Sequence, residues 1–409
     1  MTTSTGVPRL HGTALSGQDV RSRLRSQGPV AWAEIADGVH VLVVTGWQAA
    51  REVLTGPAFR KDPGHWEALN RGLVPSRLAY LATPGLHHSD GERHERLRRA
   101  VGDCLASVNA HAVRETVRRH ARDLIEDVAG RGHLDLMSEY ADRVVARTVT
   151  GLAGLPPEAA DRVRTATDRL ADAQPDAATA WWDLHGMVRE VLDAKRARPA
   201  KDFTSWLLAH PAGLTDDEVC HQVIALILLG AAPTAAWIGT TLHALVADPA
   251  YATRLVGGSV TVRAALTETL SRRCPATTMS AHYAVGPTVL HGVRVPPGVP
   301  VLVDHAATGV DPHRPGDGGA HDRSHLAWSA GVHRCPAPGL ATTIAEAATE
   351  TAVDMLWDLT APITAVAGRP SPFRACPAHV GVLFSTTRTG RGNPSTRRGG
   401  RAARPTDEE

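Results

Sequence analysis

From Gln222 to Leu242 the chain carries no charged residue, and VIALILLGAA within that stretch is strongly apolar. A run of this kind must be buried, in lipid or in protein. Its length passes the threshold of about 20 residues for a membrane span. Gln222, Pro233, Thr234, Thr240 and Thr241 interrupt it, however, and no aromatic belt or basic flank marks its ends. It is therefore expected as the buried central helix of a soluble protein. Thr215 with Glu218 forms a capping box that opens it. From there the helix is expected to run about 30 residues, on the order of 45 Å.

The rest of the pattern builds around that helix. VAWAEI, a turn at Asp37-Gly38 and VHVLVV read as a hairpin over 30–44. From about 92 to 247 the periodicity is mostly helical, and another helix is expected over 262–273. Strands return between 277 and 305, with a turn at Pro296-Pro297-Gly298; residues 306–325 read as loop, and a strand is expected again near 378–386. The class is mainly α with small β-sheets. Residues 1–15 are expected to be disordered, 16–387 to form one domain, and 388–409 a disordered Arg/Gly-rich tail. The tail's six arginines read as solvated.

A formal charge of +2 gives no reason to invoke nucleic acid. Five widely spaced cysteines, Cys104, Cys220, Cys274, Cys335 and Cys376, argue for reduced thiols rather than a disulfide framework. The opening residues lack the apolar stretch of a signal peptide, so a cytoplasmic, monomeric protein off the membrane is expected.

The chemistry concentrates in residues 326–341, LAWSAGVHRCPAPGLA. Cys335 is framed by Gly331, His333 and Arg334 on one side and by Pro336, Ala337 and Gly339 on the other. A small-residue loop with a basic rim, feeding a helix, stabilises a thiolate through backbone N–H groups and the helix N-terminus. Two other readings stand beside it. A lone cysteine packs as a small apolar residue. His321, His325, His333 and Cys335 also fall within 15 residues, but their spacing matches no familiar zinc pattern with paired cysteines.

The segment resembles the cysteine-ligand loop of the cytochrome P450 haem-thiolate family. Trp328 stands at the usual phenylalanine, Ser329 at a usual glycine, and Ala337 at a Gly/Ala position. The resemblance covers roughly residues 28–387 and implies a single-domain P450 fold with the long helix over the haem. It implies haem b ligated by Cys335, with dioxygen as co-substrate. His94 and Arg98, four apart on one helical face, are similar to the propionate-binding pair. His282 falls where the family often has an arginine, and His333 completes the set. In LLGAAPTAA, Thr234 takes the place of the hydroxyl that orients water, Ala231 is among the small residues above the iron, and Pro233 replaces an acid.

One further departure is plain. Glu268 of the family's Glu-x-x-Arg is kept, but Ser271 stands at the arginine, and Arg272 lies about 100° around the helix. The partner arginine is expected near Gly319 or Ala320 and is missing there. The resemblance thus points to an atypical subgroup. It implies a monooxygenase of secondary metabolism, fed electrons by a separate ferredoxin or flavoprotein that docks near Arg334. Two alternatives are oxidative coupling of aromatic side chains in a peptide, and a haem-binding protein with little turnover. Substrate contacts are sought at residues 60–90, Trp181-Trp182 and Ala231–Trp237.

Overall fold

A computed structural model describes residues 7–10, 17–256, 258–276, 280–316, 322–360 and 366–385. The long apolar run is one helix, Asp216–Ala247. Its capping box is complete: the Thr215 hydroxyl accepts from Glu218 N and the Glu218 carboxylate accepts from Thr215 N. Glu218 also pairs with Arg96 of the helix Gly91–Ala106, tying the two helices at this end. The helix is long and apolar enough to span a membrane, yet protein surrounds it. It packs against Asp142–Ala153, Ala160–Ala171, Ala177–Ala197, Val262–Arg272 and Pro338–Met355. Gly239 allows a further close approach, by the short helical turn Leu136–Ala141, because a Cβ there would meet Met137 Sδ.

The hairpin forms as Val30–Ala36 and Val39–Val44, with Gly38 at φ +74° in the turn. Its second strand is apolar almost throughout because both faces are buried. Val41 and Val43 enter the main core, whereas Leu42 and Val44 enter a second cluster with Val53, Leu54 and Val301. The five-stranded sheet runs in the order Val30–Ala36, Val39–Val44, Pro300–Val303, His282–Ala284, Phe59–Arg60. Among these five strands the Val39–Val44 and Pro300–Val303 pairing is parallel and the others are antiparallel. A three-stranded sheet joins His133–Asp135, Gly381–Ser385 and Trp357–Thr360, and a hairpin joins Thr288–Leu290 to Val293–Val295.

Two expectations change. Residues 7–10 are not loose: Leu10 N donates to Glu34 O at 2.8 Å, and Glu34 N to Pro8 O at 2.9 Å. The free edge of the hairpin captures them. The stretch 306–325, read as loop, begins within a short helix, His305–Gly309, capped by the Asp304 carboxylate. Most of 1–15 and all of the 388–409 tail lie outside the described residues, as do Gly319, Ala320 and His321.

Candidate functional site

The cysteine loop closes on itself through backbone hydrogen bonds. Ser329 N donates to Leu326 O at 2.8 Å and Cys335 N to Trp328 O at 2.8 Å. Gly331, at φ +68°, is required by a close approach, since a Cβ would meet Leu54 O at 2.5 Å. Ser329 adopts φ +59°, the left-handed region that explains why glycine suits this position. Pro338 opens the helix Pro338–Met355 immediately after the loop. Ala337 N lies 3.5 Å from Cys335 Sγ and donates to it. Burial pushes the Cys335 thiol up, against this N–H and the nearby Arg98 and Arg334 charges, which favour the thiolate. The expected thiolate stabilisation is present but does not outweigh desolvation.

Cys335 lines a cavity of about 310 Å³ between the loop, the central helix and the sheet. Thr234, His282, His333, Arg98 and Trp328 line the same cavity. From the central helix, Gly230, Pro233, Thr234 and Trp237 face it, an i, i+3, i+4, i+7 stripe. Ala231 is off that stripe: it is buried in the helix packing, and Gly230 with Pro233 takes the expected position at the cavity. Pro233 sits inside the helix and has no N–H to offer Leu229 O, so one carbonyl there lacks its helical donor. Trp237 anchors the stripe, donating to Leu266 O at 2.9 Å and meeting Trp328 edge to face at 5.5 Å.

Two other expected residues stand behind the wall. His94 packs its ring on His333, with centroids 4.2 Å apart. Gly331 serves the contact with Leu54 rather than the cavity. Arg98 is held by donation to Arg334 O at 2.6 Å. The buried nitrogens His87 Nδ1, His94 Nε2, His282 Nδ1 and His305 Nδ1 have no hydrogen-bond partner. Burial, then neighbouring Lys61, lowers His333 to about 3 and His282 well below the ordinary range, so both are neutral at pH 7.

The missing Glu-x-x-Arg arginine has a substitute that the sequence pattern does not reveal. Ser271 is fully buried at the arginine position. Arg314, 43 residues later, donates to Ser271 Oγ at 2.8 Å and to Ser271 O at 3.3 Å. Its guanidinium pairs with Asp322 at 2.7 Å, the two side chains 6% and 2% exposed. Asp322 also accepts from Ser271 Oγ and from Ser324 N, while Ser324 O accepts from Trp47 Nε1. This network therefore holds the chain just ahead of Leu326 and the cysteine loop. Glu268 lies outside it, with Tyr251 Oη at 3.2 Å and half-exposed Arg272 at 3.8 Å. The expectation that both arginines are lost is thus corrected: a cation is present, from a different part of the chain.

Among the described residues no three histidine, cysteine or acidic side chains converge as a metal cluster. Trp181 lines a small side pocket with His221 and Phe373, while Trp182 is 67% exposed.

No protein-family model matches the chain. Curated relatives do. The chain is 28% identical over 351 residues to the cytochrome P450 monooxygenase PikC of Streptomyces venezuelae, covering 83% of each chain. It is 25% identical over 335 residues to the 2-hydroxy-5-methyl-1-naphthoate 7-hydroxylase of Streptomyces carzinostaticus, covering 77% of this chain and 81% of that one. Among solved structures, CYP154A1 from Streptomyces coelicolor A3(2) superposes with a TM-score of 0.84 at 25% identity, covering 93% of this chain and all of that one. Sequence and fold agree with the loop: the chain belongs to the bacterial cytochromes P450, oxidoreductases that carry haem b and use dioxygen as co-substrate.

Proposed function

We propose that this chain is a monooxygenase that tailors a secondary metabolite, with Cys335 as the residue that would hold its haem iron. The observation that carries the reading is one cavity lined by both the Cys335 loop and the small-residue stripe around Thr234. The residues present fit haem. A sulfur stands in the wall with a backbone N–H on it, and Arg98, His282 and His333 face the cavity as candidates for two propionates. The unpartnered nitrogen of His282, at the cavity, is a donor that such a carboxylate would satisfy. Haem held there supplies the activation of dioxygen, with the thiolate favouring O–O cleavage.

The chain's own side chains do the rest. Thr234, 4% exposed, offers a hydroxyl beside Pro233, where it can hold water. Val149, Leu152, Phe203, Leu226 and Leu229 give the cavity an apolar lining that favours an apolar substrate and excludes bulk water. Trp237 and Trp328 fix the floor where the loop meets the helix. Electrons come from a separate donor, as is general for this family; Arg334 is exposed beside the cysteine and is the proposed contact for an acidic ferredoxin face. Arg334→Glu is expected to slow reduction by about tenfold or more at low salt, an effect that fades as salt screens it. Unchanged stopped-flow reduction kinetics would remove that contact.

A second reading, oxidative coupling, is favoured by Pro233, which faces the cavity at the position of an acid and has no proton to relay. Turnover with a ferredoxin and its reductase under isotopically labelled dioxygen separates the two. A product heavier by one labelled oxygen supports the monooxygenase; a product lighter by two hydrogens and free of label supports coupling.

A further inference from the structure

Lys61 is the one buried lysine at this cavity, and it is close to His282 by strand register. Phe59 pairs with Ala284 and Arg60 with Tyr283, so the next step brings Lys61 across from His282. Opposed residues on neighbouring strands project to the same face. Both line the cavity, and each is 5% exposed.

The Lys61 amine donates to Ser280 Oγ at 3.0 Å and to Ser280 O at 3.2 Å, both neutral oxygens. Asp90 is the acid whose charge is felt there, but its carboxylate is committed elsewhere. Its Oδ2 accepts from Lys61 N at 2.8 Å and Asp62 N at 3.0 Å, and its Oδ1 faces His333 Nε2 at 3.7 Å. Among the described residues no carboxylate forms an ion pair with the amine. Burial pulls its pKa down to about 7, with Asp90 opposing. A buried ammonium without an ion-paired carboxylate is costly.

The imidazole beside it does not supply the charge. His282 is kept neutral by burial and stands at a position where sequence reading expects an arginine. His282 can donate one hydrogen bond but brings no formal charge and no bidentate fork. The cation is instead on Lys61, one residue past the neighbouring strand Phe59–Arg60.

We propose that Lys61 is the cationic partner of a haem propionate, taking over the charge that His282 does not carry. The proposal rests on the haem-thiolate reading of Cys335. The carboxylate is assigned to the cofactor rather than to a substrate acid because Lys61 shares its wall with His333, two residues before the cysteine, and the His333 ring meets that of His94 at a tilt.

The test uses purified holoprotein as wild type, Lys61→Met, Lys61→Arg and the double variant Lys61→Met/His282→Arg. Haem transfer to excess apomyoglobin is timed, and the propionate bending modes are read by resonance Raman. Lys61→Met is expected to lose haem about tenfold faster, the worth of one charge-assisted hydrogen bond, with shifted propionate modes. Lys61→Arg should stay near wild type. In the double variant the new arginine should bring the rate back, and that variant carries the test if Lys61→Met alone yields no folded holoprotein. Unchanged transfer and unchanged modes in Lys61→Met, with the thiolate carbonyl band intact, would overturn the role of Lys61 while leaving Cys335 in place. The same result with loss of a palmitate-induced Soret shift would overturn it in favour of a substrate carboxylate. No thiolate carbonyl band in the wild type would instead remove the haem-thiolate reading on which the proposal stands.

Discussion

Two buried charge clusters in this molecule are built on opposite plans. In the first, Arg369 and Arg374 meet Asp168 and Asp172 at 2.6–3.1 Å, with Asp142 at 3.7 Å from Arg369. It joins the helix Ala160–Ala171 to the C-terminal segment around Phe373, and every cation there faces an acid. In the second, around the cavity, Lys61 and Arg98 donate only to neutral oxygens, and the histidines beside them are driven neutral by burial. The first cluster neutralises itself and can only be structural. The second has Lys61 and Arg98 lining one cavity, and among the described residues no carboxylate forms an ion pair with either, which is how an anion-binding site differs from a brace.

The largest expected effect comes from breaking the self-neutralised cluster. Arg374 is 1% exposed, and Arg374→Ala should cost about 3–5 kcal/mol by taking one of two arginines from buried Asp172, whose Oδ1 loses its donor. Chemical denaturation of the holoprotein measures it; a loss below about 1 kcal/mol would mean the acids simply protonate. Arg314→Ala is expected near the lower end of the same range, because its partner is a single carboxylate. Unlike Arg374→Ala, it should also broaden or split the thiolate carbonyl band, since Asp322 and Ser271 hold the approach to the cysteine loop. Equal band shapes in the two variants would show that the loop is braced by its own hydrogen bonds.

Asp142 sharpens the contrast through pH. Burial and then the charge of Asp168 raise its carboxyl to about 6, with Arg369 opposing. A carboxyl raised in the folded state contributes stability that is fully present below its unfolded value, about 4, and is lost as pH rises through about 6. Asp142→Asn should therefore remove that part of the stability–pH slope and should not destabilise the fold at pH 7. Parallel stability curves for the two proteins between pH 4 and 7 would contradict it.

The smallest effect belongs to Ser329. At φ +59° a serine pays the steric cost that glycine escapes, so Ser329→Gly should stabilise by about 1 kcal/mol without changing the spectrum. A loss of stability would mean the serine side chain contributes something the backbone angle does not show.

Much of this was legible from local pattern. The capping box at Thr215, the turn at Asp37-Gly38, the uncharged helix and the cysteine loop are set by residues a few positions apart, and each appears where the sequence places it. Ala231 was misplaced by one helical step, because small residues on both sides of Pro233 hide which face is open. What escaped depends on long-range pairing. Lys61 in AFRKDP looks like a surface lysine until Phe59–Arg60 pairs with a strand more than 200 residues away. Arg314 in DPHRPG looks like a loop arginine until it reaches Ser271. Neither contact has a spacing that a sequence motif can carry.

The measurement that bears most directly on the site is the absorption spectrum of the dithionite-reduced protein under carbon monoxide, for wild type and Cys335→Ala. If Cys335 is the iron ligand, the wild type shows the strongly red-shifted Soret band of a thiolate-ligated carbonyl complex, and Cys335→Ala lacks it. Haem bound with an unshifted band in the wild type, or a shifted band that survives Cys335→Ala, would contradict the assignment.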